Sequence, residues 1–248
     1  MRRFPIYIVA LSLMTMASCS SDEKSQSEKP QFEPFELCVE SDECLVNIRY
    51  QRISNIEDNP VFADIEAQNY AHSFDGYTVE PMDVATSAQL LLDEYSELGA
   101  DNMAFAGAAC SYSLDQVAHL TRGDEILCYE TFVQAYTGGA HSMLSLWYDC
   151  FDLSTGRLYD FAYLFEDEWS GAIRERIYNG LVELDLALII DGAEAVPETK
   201  SVLITQGGVT FVYQPYEVAA FSDGIVAVTL NDEDIAATGA PLVWVDEE

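Results

Sequence analysis

Basic residues are scarce: the 248-residue chain carries 11 Lys and Arg against 43 Asp and Glu, a formal net charge of −32. A polyanion of this size cannot neutralise phosphates, which excludes nucleic acid as a partner. Histidine is rarer still, with only His72, His119 and His141. No His-x-x-x-His or His-Glu-x-x-His pair exists to build a zinc hydrolase or a metal-dependent deacetylase. Gly-x-Ser-x-Gly and Walker-type phosphate loops are missing, as is any Cys-x-x-Cys pair, so no cofactor is implied and no catalytic residue can be nominated. The acidic run Asn231-Asp232-Glu233-Asp234 lacks the ligand spacing and the glycine of an EF-hand loop, so no metal site is assigned. The one sustained apolar run, Ile6 to Met16, falls short of the roughly 20 residues that cross a bilayer as a helix.

That short run has another use. Arg2 and Arg3 precede it, and Met16-Ala17-Ser18 leads into Cys19, the layout of a secretory signal peptide. Small residues directly before a cysteine resemble the lipobox of bacterial lipoproteins, in which that cysteine is acylated and becomes the new N-terminus. The resemblance implies residues 1–18 as a lipoprotein signal peptide, lipidation at Cys19, and a membrane partner reached through the lipid anchor. Ser20, in place of an Asp after the cysteine, resembles the address of an outer-membrane protein facing the periplasm. Residues 19–34, rich in Ser, Lys, Glu and Gln, read as a solvated tether.

Beyond the tether, 49% hydrophobic and 12% aromatic residues supply a packed core. Five further cysteines suit an oxidising compartment. Cys38 and Cys44 flank the turn-prone Val-Glu-Ser-Asp-Glu, and Cys128 and Cys150 stand equally far from Gly139. Both pairs are expected to face each other across hairpins as disulfides. Cys110 is left over, either a buried thiol acting as a small hydrophobe or a reactive nucleophile.

Strands are expected at Phe35 to Cys38 and Leu45 to Tyr50, then a helix opened by Asn59-Pro60 with Ala63, Ala67, Tyr70 and Phe74 on one face. A second helix is expected from Met82 to Leu98, burying Ala88, Leu91, Tyr95 and Leu98, with Gly99 just beyond its end. Ala108 to Leu120, Ile126 to Ala135 and Ser142 to Phe151 form an antiparallel meander with turns at Arg122-Gly123-Asp124 and Gly138-Gly139. A third helix starts near Glu166 with a stripe from Trp169 through Leu188 and stops at Gly192. Val202 to Thr205, Val209 to Tyr213 and Ile225 to Leu230 close the chain as strands. This order reads as α+β: antiparallel sheets, three main helices, and two intimately packed portions, an N-terminal one over residues 35–105 and a C-terminal one over 106–248.

Three segments carry a resemblance: Tyr136-Thr137-Gly138-Gly139-Ala140-His141, Phe151-Asp152-Leu153-Ser154-Thr155-Gly156-Arg157 and Tyr213-Gln214-Pro215-Tyr216-Glu217-Val218-Ala219. Their order and spacing are similar to the extracytoplasmic domain of RsiV-type anti-sigma factors, a family largely of unknown function. Two positions depart from it. Ser142 stands where that family usually has Gly, and Ala220-Phe221 where it commonly has Pro-Tyr. The resemblance implies a ligand-binding envelope module that recognises lysozyme, another cationic protein or cell-wall glycan. Tyr136, Gly138, Gly139, His141, Tyr216 and Glu217 are the candidate contacts.

Each candidate also has a plainer explanation. The glycines serve a hairpin loop at positive φ, His141 can bond loop carbonyls, and Pro215-Tyr216 can shape a corner. The acidity either steers a cationic partner or keeps the chain soluble in saline surroundings. The alternative activity is hydrolysis of peptidoglycan or its fragments through a carboxylate pair that sequence alone cannot pick out.

Overall fold

The computed structural model describes residues 29–106 and 110–243. The leader and Cys19 lie outside the described residues. Among the described residues are nine strands, in two sheets, and five helices: β1 (Phe32–Glu40), β2 (Cys44–Ile53), α1 (Pro60–Ser73), α2 (Val84–Ala106), β3 (Cys110–Thr121), β4 (Ile126–Tyr136), β5 (Met143–Asp152), β6 (Leu158–Tyr159), α3 (Phe161–Leu164), α4 (Asp167–Glu183), β7 (Val202–Thr205), β8 (Gly208–Tyr213), β9 (Val226–Asn231) and α5 (Asp232–Ala236). The first sheet has the order β1-β2-β3-β4-β5-β6 and the second β7-β8-β9. The chain is α+β, as its pattern of elements implies, with three helices longer than a single turn or two. The six-stranded sheet takes β1 and β2 from before residue 105 and β3 to β6 from after it, and so crosses the boundary set between the two portions.

Not every pairing is antiparallel. β2 and β3 run parallel, with Cys44 beside Cys110 and Ile48 beside Leu114. Parallel neighbours need a long crossover, and α1 and α2 supply it. α2 buries Val84, Ala88, Leu91 and Leu92 against β1 to β3. It does not end before Gly99, and Leu98 is exposed rather than buried. Gly99 sits inside the helix because a Cβ there would come within 2.8 Å of Cys110 Sγ. The glycine marks a close approach, not a stop.

α1 begins where Asn59 and Pro60 place it: the Asn59 side chain accepts from Val61 N at 3.0 Å. Its buried face, however, is Phe62, Ile65, Glu66, Asn69, Tyr70 and Ser73. Ala67 is exposed, because buried polar residues carry part of the stripe and rotate it away from the alanines. β4 and β5 are covered on both sides near their Ile126 and Asp152 ends. Leu127, Tyr129 and Phe151 meet α1, while Ile126, Cys128 and Cys150 meet the second sheet and α4. In α4, Ile173, Ile177 and Leu181 are fully buried, as the stripe requires. The helix ends at Glu183 rather than near Gly192, and Leu188 bridges to Ala219 instead of continuing it.

Cys128 and Cys150 are bonded and face each other in register, symmetric about Gly139. The expected bridge between Cys38 and Cys44 is not made. The β1–β2 hairpin pairs Glu40 with Leu45, which puts Cys38 opposite Asn47. Cys38 is exposed on one face of the sheet, whereas Cys44 is buried on the other. Among the described residues no helix is long and apolar enough to cross a membrane.

Candidate functional site

The β4–β5 loop over residues 137–142 turns on Gly138 at φ 92° and Gly139 at φ 126°, a region that favours glycine. Tyr136 Oη donates to Gly139 O at 3.1 Å and Gln134 Nε2 donates to Ser142 Oγ at 3.2 Å, which closes the loop on itself. His141 is exposed, its Nδ1 3.4 Å from the loop carbonyl Ser142 O and its ring stacked on Phe221 at 4.3 Å between centroids and 28° between planes. Phe221 opens a single 3-10 turn in the connection from β8 to β9.

The same connection brings in Tyr216, whose ring lies 5.4 Å from that of Phe221. Gln214 anchors it: its side-chain Oε1 accepts from Leu146 N at 3.1 Å and its Nε2 donates to Leu146 O at 2.6 Å, so the amide bonds β5 as a strand neighbour would. Glu217 Oε2 accepts from Gln214 N at 2.6 Å and folds the turn, which makes Glu217 a shaping residue before anything else. Tyr216 then takes φ 72° and stands 63% exposed. A non-glycine residue in that region costs about 1 kcal/mol, and such strain gathers at functional positions.

Two segments far apart in the chain therefore meet in one aromatic surface, in which exposed His141 and Tyr216 flank the half-buried Phe221, with Tyr136 at the base of the same loop. Of the candidates, His141 and Tyr216 meet through Phe221, while Tyr136, Gly138 and Gly139 belong to the loop that carries His141. Phe221 was not among the candidates, although it fills the position where an aromatic is common in the similar family. Acids and apolar side chains border this surface. Ile189 N donates to Val218 O, Ala220 N to Ala187 O, and Ala187 N to Asp223 Oδ2, which joins the 184–191 segment to the same corner. Leu184 and Ile189 are 49% and 54% exposed there, alongside exposed Asp185, Asp191 and Glu217.

The acidic run at residues 231–234 is occupied with structure: Asn231 caps α5, Asp232 takes both Arg122 terminal nitrogens at 2.9 and 3.0 Å, and Asp234 lies 3.9 Å from Arg176.

A second polar assembly lies between α1 and the large sheet. Glu66 accepts from Ile53 N at 2.9 Å and from Tyr50 Oη at 3.2 Å. Asn69, Gln116, Ser73 and Thr131 continue the network through bonds of 2.9 to 3.5 Å. Burial raises the Glu66 carboxyl to about 7, against the hydrogen bonds from Ile53 and Tyr50. At the far end of α1, His72 Nδ1 lies 2.8 Å from both oxygens of the buried Asp149, and its ring tilts against Trp147 at 5.4 Å. The bond to Asp149 raises the His72 pKa, in opposition to burial.

A glycosidase needs two carboxyls facing each other across an open cleft, roughly 5 to 9.5 Å apart. Glu66 is sealed beneath α1 and faces a tyrosine and an amide instead. A surface cavity of about 790 Å³ is lined by Asp64 and Asp160, but Asp160 caps α3 by accepting from Tyr163 N at 2.8 Å. Arg157 fills part of that cavity, its guanidinium 3.6 Å from the centre of the Tyr163 ring.

Residues 178–233 match the model of DUF3298, a protein family of unknown function. That stretch contains the Gln214-to-Phe221 corner. The fold is similar to two crystal structures from the same family. One, from Bacteroides fragilis, is 16% identical with a TM-score of 0.67, covering 84% of this chain and 92% of that one. The other, from Pseudomonas aeruginosa, is 17% identical with a TM-score of 0.58, covering 84% and 94%. No curated protein matches the chain.

Proposed function

We propose that the protein is an exported, lipid-anchored envelope module that binds a basic protein through its aromatic corner and has no catalytic machinery of its own. The observation that carries this reading is the convergence of His141, Phe221 and Tyr216 into one aromatic surface, with Tyr216 exposed at positive φ. Aromatic anchors inside a charged rim are what protein–protein hot spots are made of. A chain of net charge −32 draws a cationic partner over a distance, and the rim acids then meet its basic residues. The resemblance of the motifs to the lysozyme-binding domain makes lysozyme the probe of choice.

The test is titration of the purified protein with lysozyme at increasing salt. Saturable binding that persists at about 0.15 M salt is expected, since apolar contacts outlast screening. Tyr216→Gly should weaken it about tenfold, the loss of one mid-sized anchor. The same substitution relieves the φ of 72°, so thermal stability should hold or rise slightly while affinity falls. Absence of saturable binding at low salt would remove lysozyme as the partner. Binding that vanishes at moderate salt would reduce it to charge attraction alone.

A further inference from the structure

We propose that Cys44 and Cys110 form a second disulfide, which joins β2 to β3 under α2 and ties together the two ends of the helical crossover. The two residues are direct partners in the parallel register, so their side chains leave the sheet on the same face. Neighbouring strands run about 4.8 Å apart, inside the roughly 4.4–6.8 Å over which a disulfide spans two Cα atoms. The alignment is fixed locally, because Cys110 N donates to Glu43 O at 2.8 Å. Space has been made for the sulfurs as well: α2 presents Gly99 to Cys110 Sγ, where any Cβ would lie 2.8 Å away.

Chemistry and burial agree with this pairing. Cys44 and Cys110 are 2% and 1% exposed within one apolar cluster, beside Val46, Ile48, Tyr112 and Leu114. Cys38, the remaining described cysteine, is exposed on the opposite face and cannot compete. Cys128–Cys150 is already closed, which fits a chain that folds where thiols are oxidised. Burial raises both remaining thiols, and Cys110 adds to the rise of Cys44 to about 11.

An external protein disulfide is the oxidant. The Cys44 thiolate attacks one of its sulfurs, giving a mixed disulfide and releasing the first thiol. The Cys110 thiolate then attacks Cys44 Sγ and releases the second. Two electrons pass from the cysteines to the oxidant, and their two protons end on the released thiols.

The full chain, produced with export, should be denatured in alkylating reagent without reductant and its peptides mapped by mass spectrometry. The expected result is a peptide pair joining Cys44 to Cys110, lost on reduction, with Cys38 carrying the alkyl group. The Cys38→Ser variant should give the same link, since Cys38 takes no part. Alkylation of Cys44 and Cys110 in material where Cys128–Cys150 is intact would overturn the proposal, as would a link from Cys44 to Cys38.

Discussion

Phe211→Ala should destabilise the protein by about 3–5 kcal/mol, the usual range for emptying a buried aromatic site. Phe211 is fully buried in β8, the middle strand of the second sheet, and its ring lies 6.0 Å from those of both Phe161 and Phe165. Those two come from the short α3 and its cap, which cannot collapse into the gap because Asp160 and the β6 register fix them. The corner bearing Gln214 and Tyr216 leaves directly from the end of β8, so the same substitution loosens the aromatic surface at its root. Urea unfolding followed by tryptophan fluorescence gives the number. Val117→Ala, at a position 59% exposed, should change stability by less than about 0.5 kcal/mol and serves as the control. A loss below about 1 kcal/mol at Phe211 would mean that the second sheet is not packed as described.

Glu66→Gln should change the dependence of stability on pH. The folded-state pKa of Glu66 is raised to about 7 from an ordinary value of 4.5, chiefly by burial. Below about pH 4.5 the carboxyl is protonated in both states and its contribution is complete. Between about 4.5 and 7 the unfolded chain gives up the proton while the folded one keeps it, so stability falls as pH rises, then levels off. The difference of roughly 2.5 units corresponds to a loss on the order of 3 kcal/mol across that window. Glutamine has the shape of the protonated acid and cannot ionise, so the variant should lack this decline. His72 adds a fall of the same sign: its stabilising contribution is complete below its ordinary value of 6.5 and is lost as pH rises through its raised one. That part remains in the variant. Unfolding free energies from pH 4 to 8 for both proteins isolate the Glu66 contribution as the difference between the two curves. Parallel curves would show that the carboxyl is solvated.

The elements that were legible in the sequence are those whose cause is local. Alternation over Leu45 to Tyr50 marked β2, β-forming residues between turns marked β3, Asn59-Pro60 marked the start of α1, and the glycines at 138 and 139 fixed a hairpin symmetric enough to place Cys128 against Cys150. What was not legible depends on partners distant in sequence. The hairpin at Cys38 and Cys44 offered no glycine to centre it, and its true register moves the two cysteines to opposite faces. The parallel pairing of β2 with β3 follows from where the crossover returns, which no periodicity encodes. Gly99 looked like a helix stop because its real reason, the sulfur of Cys110, lies across the α2–sheet interface.

The aromatic corner shows the same division. Tyr136, His141 and Tyr216 could be singled out by motif, but the motif could not say that they share one surface. Their meeting depends on the Gln214 amide bonding the β5 backbone, a contact between residues 68 apart. Glu217 turned out to shape the turn, and Phe221 supplied the ring that links His141 to Tyr216. The polar network around Glu66 gave no sequence signal, since Glu and Asn are ordinarily solvent-facing residue types, although Glu66 and Asn69 stand four positions from Phe62, Tyr70 and Ile65 on the buried stripe.

The claim that the exposed aromatic corner is the contact surface is tested most directly by amide hydrogen exchange of the full chain, free and saturated with lysozyme. Protection confined to residues 136–142 and 214–223, with the rim at 184–191, is the expected result. Saturable binding with protection elsewhere and none at this corner would contradict it.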